Sequence, residues 1–449
     1  MIFLGIVFIA IYLYIRGYKI SALLLFFFFI TSGFNLIPEE ITKFGFISKG
    51  SDYALLMLVG IIIIDGMFNW NYFNRDNFTN YLIIFASFLI ICILYNKFVI
   101  SLTWGDILRT CRYQFFWIAY FLFRHLKKGT LVTLLKCLFL ISLFTAVLFL
   151  LQIVIDENIL VKTVTSHVEM FGIRITRFYN QPDMLFFFTF MALYNNPLKG
   201  IFKYVSIVIF TAALLGAFHR SLIGCFFFSV IIGYVVMLPR IKKMYFITIA
   251  SFILLFAVVF EGNKFIHSRT YLDVKNVTSG SISTEEIDLE NLYKSTFTFR
   301  ILHLIERNQY LLDNPKTMFF GAGLIPEDSP LIGKMFDFKI GLIAELTEST
   351  IQVDTGDISY SVLILRLGYI GTVLYLLLII YLMVFFYKKR DDRYALFSFL
   401  YFILTIGVSF FSANLLNPVT YILPLISYSI IKKTDAENAA SEKLTNGKE

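Results

Sequence analysis

Residues 131–155 read LVTLLKCLFLISLFTAVLFLLQIVI, and this stretch decides the fold class. It holds one charged residue, Lys136, within a length greater than the roughly 20 apolar residues that a helix needs to cross a bilayer. A helix satisfies its own backbone hydrogen bonds, so it is a form in which such a stretch can lie in lipid. The sequence therefore predicts a membrane-spanning helix here.

Similar apolar runs recur along the chain and predict about thirteen spans, with about 12 to 14 as the accepted range. The runs lie approximately at 1–15, 20–38, 53–69, 81–96, 114–124, 130–155, 183–195, 201–217, 221–239, 244–260, 358–387, 394–414 and 417–431. The predicted fold class is all-α, a polytopic integral membrane protein with one large extracytoplasmic loop.

The composition of the whole chain agrees with this fold class. Of its 449 residues 58% are hydrophobic and 16% are charged, whereas a soluble domain is nearer half apolar and a quarter charged. The net charge of +8 sits mostly between the apolar runs, which is not the pattern of a nucleic-acid-binding protein. The four cysteines are scattered without metal-type spacing, so neither a metal site nor another cofactor is predicted.

The basic residues between the runs set the expected orientation, because Lys and Arg in short loops stay in the cytoplasm. Alternating spans then place the amino terminus outside, together with the loops 39–52, 97–113, 156–182, 218–220, 261–357 and 415–416. We divide the chain into an N-terminal transmembrane bundle (1–260), a large extracytoplasmic loop (261–357), C-terminal transmembrane helices (358–431) and a tail (432–449). The polar tail is expected to be disordered and cytoplasmic.

Arginines gather in small groups on the predicted outer face. The groups are Arg109 with Arg112, Arg174 with Arg177, Arg220 alone, and Arg300 with Arg307. A guanidinium group matches phosphate oxygens with two parallel hydrogen bonds, and a lipid-linked phosphate or diphosphate is an anion available beside a membrane. The alternative is that each arginine is a solvated loop residue.

Arg220 stands out because it lies between two apolar runs with almost no loop around it. A charge at that place must face water or a ligand. His219 precedes it, and a histidine beside an arginine tends to be neutral at pH 7 and able to accept a proton. His219 is equally compatible with a helix cap.

Residues 295–313 have the spacing of an amphipathic helix within the large loop. One stripe is apolar, while Arg300, His303, Arg307 and Tyr310 share the other. The polar stripe allows two interpretations, a helix that lies over the bundle and presents its arginines to a ligand, or a surface helix with a solvated polar face.

Two features follow that helix in the sequence. Gly321-Ala322-Gly323 permits a tight turn or a close backbone approach to an anion, although this short pattern alone is weak. Arg366 falls about two turns into an apolar run, where a charge is expensive enough to indicate function or a buried ion pair. Asp354, Asp357 and Tyr360 lie just before it and complete the candidate residues.

Several of these segments together resemble the O-antigen polymerase and ligase superfamily. Phe171-Gly172-Ile173-Arg174 and Phe178-Tyr179-Asn180-Gln181-Pro182 are similar to its outer loop before a span, and Phe218-His219-Arg220-Ser221 to its Ser-Arg element. Arg300, Asn314-Pro315 and Gly321-Ala322-Gly323 resemble its Arg, His-Pro and Gly-x-Gly pattern, and Tyr360 to Gly371 its final element. The segments keep the family order across roughly 170–375.

The resemblance implies a membrane glycosyltransferase of the GT-C type in the bacterial inner membrane, with its active site facing the periplasm or exterior. It implies undecaprenyl-diphosphate-linked oligosaccharide as substrate, membrane lipid around the protein, and a chain-length regulator and a repeat-unit flippase as partners, with no metal. By the same resemblance Arg174, Arg177, Arg220 and Arg300 would hold the lipid diphosphate. The sequence itself adds Arg307, His219, Arg366 and Tyr360 as binding candidates.

The sequence departs from the family in one place that matters for the reaction. Ligases of this superfamily carry a histidine just before the last matched span, and here the stretch reads Asp354-Thr355-Gly356-Asp357. The departure favours a polymerase over a ligase. It leaves the general base open between Asp357, Asp354, His303 and His219.

The expected activity is therefore the polymerisation of polysaccharide repeat units such as those of O-antigen or capsule. Three alternatives remain at the level of sequence. They are a ligase that transfers finished glycan to another acceptor, a flippase or other transporter of lipid-linked oligosaccharide, and a structural membrane protein.

Overall fold

The structure is a computed structural model that describes residues 2–45, 47, 49–68, 72–161, 163, 165–170, 173–236, 296–326, 329, 331–343, 350–351 and 358–446. The described chain is mostly helical. Its longer helices are α1 (Ile2–Ile15), α2 (Lys19–Ile30), α3 (Gly50–Phe68), α4 (Asn77–Phe98), α5 (Trp104–Cys111), α6 (Ala119–His125), α7 (Lys128–Ile155), α8 (Leu185–Tyr194), α9 (Ile201–Gly216), α10 (Arg220–Val236), α11 (Thr296–Asp313), α12 (Pro315–Phe320), α13 (Ser359–Lys388), α14 (Arg393–Val408) and α15 (Val419–Asn446). Shorter helical turns lie at Ser32–Asn35, Glu39–Thr42, Arg112–Ile118, Ile332–Met335 and Asn414–Leu416.

A described helix lies in each predicted span that the structure describes, but α2 ends at Ile30 within the span predicted at 20–38, and α14 ends at Val408 within the span predicted at 394–414. The predicted span at 244–260 lies outside the described residues. Four described helices are long and apolar enough to cross a membrane: α3, α4, α7 and α13. Several others, such as α8, have only 10 to 17 residues. The number of spans therefore stays a prediction.

Several helices carry large apolar side chains on the outside of the bundle, where a soluble protein would have a polar face. Val154 on α7 is 81% exposed and Phe228 on α10 is 60% exposed. A soluble protein rarely exposes a wide apolar surface, whereas a hydrocarbon layer solvates it. The exposed apolar surface accordingly fits a chain that associates with a membrane.

A small β-hairpin interrupts the helical fold between α7 and α8. Strands β1 (Thr165–Met170) and β2 (Ile173–Phe178) pair antiparallel, with Ser166 opposite Arg177. The sequence prediction treated 156–182 as an irregular loop, but β-branched Thr176 and the isoleucines of β2 favour a strand. A second pair, β3 (Leu342–Ile343) and β4 (Thr350–Ile351), lies in the large loop.

The long helices give the bundle two ends, because a helix of 28 residues is about 42 Å long. The cavity end holds the starts of α3, α13 and α15, where Asp52, Ser359 and Asn417 make contacts to other segments. The tail end holds the opposite termini of α13 and α15 and the start of α7. Most cavity-end segments described below belong to, or directly adjoin, loops that the sequence places outside, whereas Ser32–Asn35 and Arg366 lie within predicted spans.

The expected disorder of the tail is wrong for the described residues up to 446. Helix α15 continues without interruption to Asn446. Alanine, glutamate and lysine in this stretch are good helix formers. Glu437 pairs with Lys128 at 2.8 Å and Asp435 pairs with Lys389 at 2.9 Å, so neighbouring helix termini also hold the tail in place.

Candidate functional site

A cavity of about 480 Å³ opens among the loops of the cavity end. This volume lies within the roughly 300–1,000 Å³ of ordinary small-ligand sites. The polar side chains that line it come from segments distant in sequence and include Glu39, Lys49, Gln114, Asp183, Arg366 and Asn417. The fold therefore gathers hydrogen-bonding groups from at least five segments around one open cavity.

Asp183 is the carboxylate that the structure holds most elaborately on this cavity. Asn35 Nδ2 donates to Asp183 Oδ2 at 3.0 Å, and Asn417 Nδ2 donates to Asp183 Oδ1 at 3.1 Å. The Asp183 backbone N–H donates in turn to Asn35 Oδ1 at 3.1 Å. The nitrogen and the oxygen of the Asn35 amide group and both oxygens of the carboxylate are thus used in one fixed arrangement that spans three segments.

The backbone that presents Asn35 is strained. Ser32, Gly33, Phe34 and Asn35 all have positive φ, at 48°, 67°, 58° and 64°. For residues with a side chain other than glycine's this conformation costs about 1–2 kcal/mol each, and asparagine tolerates it best. Val161 N–H donates to the Asn35 carbonyl oxygen at 2.8 Å, which helps to hold the left-handed turn in place.

Arg366 reaches the cavity from helix α13, two turns after its start and just before a break in the helix. Gly368 breaks the helix with φ 65° and ψ −173°. Gly321 lies directly against this place, because a Cβ on Gly321 would lie 2.6 Å from the carbonyl carbon of Arg366. Ala322 N–H donates to the Leu365 carbonyl oxygen at 2.7 Å, in the turn that precedes the break.

We therefore assign Gly321-Ala322-Gly323 a role in packing against α13 and not the predicted role in anion binding. The close backbone approach that the glycines permit is made to α13, not to a ligand. Leu324 N–H, just after the motif, donates to the buried Asn96 Oδ1 at 2.7 Å and ties the same turn to α4. Together these contacts fix the position of the Arg366 backbone beside the cavity.

Arginines from three separate segments lie near one another beside the cavity. Burial lowers the pKa of the Arg177 guanidinium, and the positive charges of Arg220 and Arg300 lower this pKa further. Tyr179 acts in the opposite direction and raises the pKa. Burial also lowers the pKa of His219 to about 4, with Arg177 and Arg300 as the charges that contribute. We call these four residues the arginine cluster.

Local contacts hold the members of the arginine cluster in position. The Arg177 guanidinium lies over the Tyr179 ring at 4.5 Å, and His219 Nδ1 is 2.9 Å from Ser221 Oγ at the start of α10. The Arg300 guanidinium lies over Phe411 at 5.7 Å. Because Ser412, the next residue, lines the cavity, the cluster adjoins the cavity wall.

A positive cluster of this kind favours an anionic ligand. Like charges raise each other's free energy, so a phosphate or diphosphate that accepts hydrogen bonds from two or three guanidinium groups relieves the repulsion. Neutral His219 adds no fourth positive charge at pH 7, because its pKa of about 4 is well below that pH. His219 is thus compatible with binding beside the anion.

Helix α11 is present as predicted, and its polar stripe faces the bundle. His303 and Arg307 are fully buried, whereas Leu312 of the apolar stripe is 53% exposed. His303 Nδ1 is 2.9 Å from Ser361 Oγ on α13, and the Arg307 guanidinium lies 4.2 Å from the centre of the Phe338 ring. The interpretation as a surface helix with a solvated polar stripe is therefore wrong.

The burial of these residues changes their candidate roles. Arg307 pairs with Glu306, whose carboxylate also accepts from the backbone N–H of Ile340 at 3.1 Å. Within the described chain the cavity lining includes neither His303 nor Arg307. We assign both to packing between α11, α13 and the loop at 338–340, because a buried group locked in such contacts cannot reach a substrate in the cavity.

The structure gives fewer contacts for the remaining candidate residues. Tyr360 donates from its hydroxyl to the Ile406 carbonyl oxygen at 3.0 Å and contacts Phe410, so it anchors the segment that carries Phe411. Arg174 lies in β2 opposite Glu169. Asp354 and Asp357 lie outside the described residues.

Asp183, Asn35 and Asn417 are site residues that the sequence reasoning missed. Each stands at the edge of an apolar run, where a short polar residue is usually taken for a cap or a turn. One signal was available, since Asp183 directly follows the Asn180-Gln181-Pro182 element that carried the family resemblance. Its partners at 35 and 417 come from distant segments, and nothing local in the sequence links them.

Comparison with known protein families, with curated proteins and with solved structures finds no match to this chain. The geometry of the cavity end therefore carries the functional interpretation.

Proposed function

We propose that this chain is a polysaccharide repeat-unit polymerase of the bacterial cytoplasmic membrane, with its cavity end facing the periplasm or exterior. The observation that carries the proposal is the arginine cluster, in which the charges of Arg220 and Arg300 act on Arg177 and those of Arg177 and Arg300 act on His219. Such a cluster suits the diphosphate of a polyprenyl-linked glycan. The family resemblance of the same segments in sequence supports the same substrate class.

In the proposed reaction a hydroxyl of one lipid-linked repeat unit attacks the anomeric carbon of the growing glycan. The bond from that carbon to the diphosphate breaks, and negative charge grows on the leaving diphosphate. Guanidinium groups already in place stabilise this charge in the transition state. A single displacement inverts the configuration at the anomeric carbon.

The position of the arginine cluster supports a reaction at the surface of a lipid layer. Arg220 begins α10, an apolar helix whose outer side exposes Phe228. A polyprenyl chain can lie along such a surface while its diphosphate lies at the helix start. The adjoining cavity then has room for the sugars.

The first test supplies purified protein in lipid nanodiscs with undecaprenyl-diphosphate-linked repeat units alone. A polymerase yields a ladder of longer glycans. A ligase yields longer products only when a second acceptor is added, and a flippase yields no new covalent product, so either result contradicts the proposal.

The second test removes the charges of the cluster. Arg220→Ala and Arg300→Ala should each lower the rate of ladder formation by about 100-fold or more, because each removes a preorganised cation. Arg390→Ala is the matched control, since Arg390 is an arginine stacked on Tyr387 at the tail end. If both cluster variants fold and polymerise at the wild-type rate, the diphosphate site lies elsewhere.

A further inference from the structure

We propose that the cavity receives the acceptor sugar and that Asp183 takes the proton from its attacking hydroxyl. The inference rests on the polymerase function proposed above and names a residue that was not among the candidates for the general base.

The hydrogen-bond partners of Asp183 distinguish it from other carboxylates of the chain. Its side chain accepts from two neutral amides, of Asn35 and Asn417. The carboxylates of Asp52, Glu306 and Asp435 instead pair with Arg112, Arg307 and Lys389. A direct cation partner stabilises the anion and makes it a weak base, whereas amides orient a carboxylate with less loss of basicity.

The two amide bonds also leave capacity for a substrate. A carboxylate has about four lone-pair directions, and the amides use two of them. Asp183 remains partly accessible because it faces the cavity. A hydroxyl group in the cavity can therefore donate to Asp183 while both asparagines keep their contacts.

The rest of the lining suits a sugar. Gln114, Asn414 and Ser412 contribute amide and hydroxyl groups, and Tyr113 contributes an aromatic ring. Such groups hydrogen-bond and pack against a ring that carries several hydroxyls. Glu39 and Lys49 form an ion pair at 3.1 Å on the same lining, so this pair adds polarity without a net charge.

The left-handed turn at Ser32–Asn35 is the further observation that points to function. Strained backbone persists where the surroundings enforce it, and it is concentrated at active sites. Here the strain places the Asn35 amide group against both the carboxylate and the backbone N–H of Asp183. A purely structural connection between α2 and α3 would not need three non-glycine residues with positive φ on either side of Gly33.

The proposed step balances as follows in atoms and electrons. The acceptor oxygen forms a bond to the anomeric carbon as its O–H bond breaks, and the proton moves to the Asp183 carboxylate. The bond between the anomeric carbon and the diphosphate oxygen breaks, and its electron pair leaves with the diphosphate. The protonated Asp183 later returns the proton to water.

The main test compares Asp183→Asn with the wild type in the ladder assay. The variant keeps the size of the side chain but cannot take the proton, so its rate should fall by about 100-fold or more. Binding of undecaprenyl diphosphate, measured by calorimetry in nanodiscs, should stay within a factor of about 3 of the wild type. Asp435→Asn is the matched control at the tail end and should keep the wild-type rate.

A second variant tests the role through pH and does not need the carboxylate to be removed. Asn417→Ala removes one donor to the anion, so the pKa of Asp183 should rise and the acid limb of the rate profile should move to higher pH by about one unit. The titratable and charged groups around Asp183 are Glu39, Lys49, Tyr113 and Arg366 on the cavity and Tyr401 behind it. All of them are unchanged in this variant.

The outcomes separate this inference from the proposed function. A wild-type protein that makes ladders, together with an Asp183→Asn variant that makes them at the same rate, overturns the role of Asp183 and leaves the polymerase standing. An acid limb that does not move in Asn417→Ala also overturns it. A wild-type protein that makes no ladder overturns the polymerase itself.

Discussion

The two ends of the bundle differ in how their basic residues are arranged. At the tail end Lys128 and Lys389 each pair with a carboxylate on α15, at 2.8 and 2.9 Å, on half-exposed side chains. At the cavity end Arg177, Arg220 and Arg300 lie close enough to lower the pKa of a neighbouring group. Ion pairs occur at both ends, since Glu39 pairs with Lys49 and Asp52 with Arg112 at the cavity end. The cavity end in addition brings several arginines close together.

The backbone is regular at the tail end and irregular at the cavity end. At the tail end α15 continues as a regular helix, whereas the cavity end contains the left-handed turn at Ser32–Asn35 and the break at Gly368. Strain and like charges brought close together both lower stability. Their concentration at one end indicates that this end is shaped by what it binds, and substitutions there should cost more than substitutions at the tail end.

The largest expected effect comes from Gly368→Ala. The new Cβ would sit at φ 65° and lie 2.6 Å from the Phe319 carbonyl oxygen and 2.7 Å from the Gly321 nitrogen. We expect a loss of about 3 kcal/mol or more, because the strain and the backbone collision add. The measurement is the thermal midpoint and the yield of monodisperse protein in detergent.

Gly129→Ala is the control for that substitution at the tail end. Nothing lies within 4 Å of a Cβ at Gly129, so alanine should be neutral or raise stability by about 0.4–1 kcal/mol. If the two substitutions lowered the stability equally, the two ends would not differ in their tolerance of a side chain.

An intermediate effect is expected from pH through His303. Burial, with Arg307 as the second cause, lowers the pKa of this buried side chain to about 2. The unfolded chain binds the proton below about pH 6.5 while the folded chain does not, so stability is complete above that pH and falls as the pH drops. The loss is about 1.4 kcal/mol per unit, or about 2 kcal/mol at pH 5.

His303→Gln should remove this part of the pH dependence while its amide keeps a contact with Ser361. The check is the slope of the unfolding free energy, or of the thermal midpoint, between pH 7 and pH 5 for both proteins. Parallel slopes would mean that His303 is protonated in the folded chain.

The smallest effect is expected at the tail end, from the pair Lys389–Asp435. Both side chains are roughly half exposed, so a double-mutant cycle should give a coupling of about 0.2–1 kcal/mol that decreases at high salt. A coupling of several kcal/mol that is insensitive to salt would show that the tail end is a rigid, desolvated element like the cavity end.

The sequence predicted the helices well because long apolar runs have few alternatives in lipid. It also selected Arg177, Arg220 and Arg300, since charges at the edges of such runs are rare enough to attract attention. The structure places all three in the arginine cluster. The placement of the helices depends on properties that are local along the chain, and the ligand-binding role of the three arginines stays a prediction.

The errors came from contacts between distant segments. The burial of Arg307 depends on Phe338 and Glu306, and the docking of Gly321 depends on the break at Gly368. Asp183 is held by residues 148 positions before it and 234 positions after it. Helical spacing could therefore predict α11 but not which of its stripes would face the bundle.

The interruption of α13 has a consequence for how Arg366 is accommodated. Helix α13 has 30 residues and would be about 45 Å long if it were straight, which exceeds the roughly 30 Å thickness of hydrocarbon. The part after the interruption, from Tyr369 to Lys388, is already long enough to fill that thickness. In a membrane spanned by that part, Arg366 would lie outside the hydrocarbon layer. Inserting this segment would then avoid most of the energy needed to bring a guanidinium group to the middle of a bilayer.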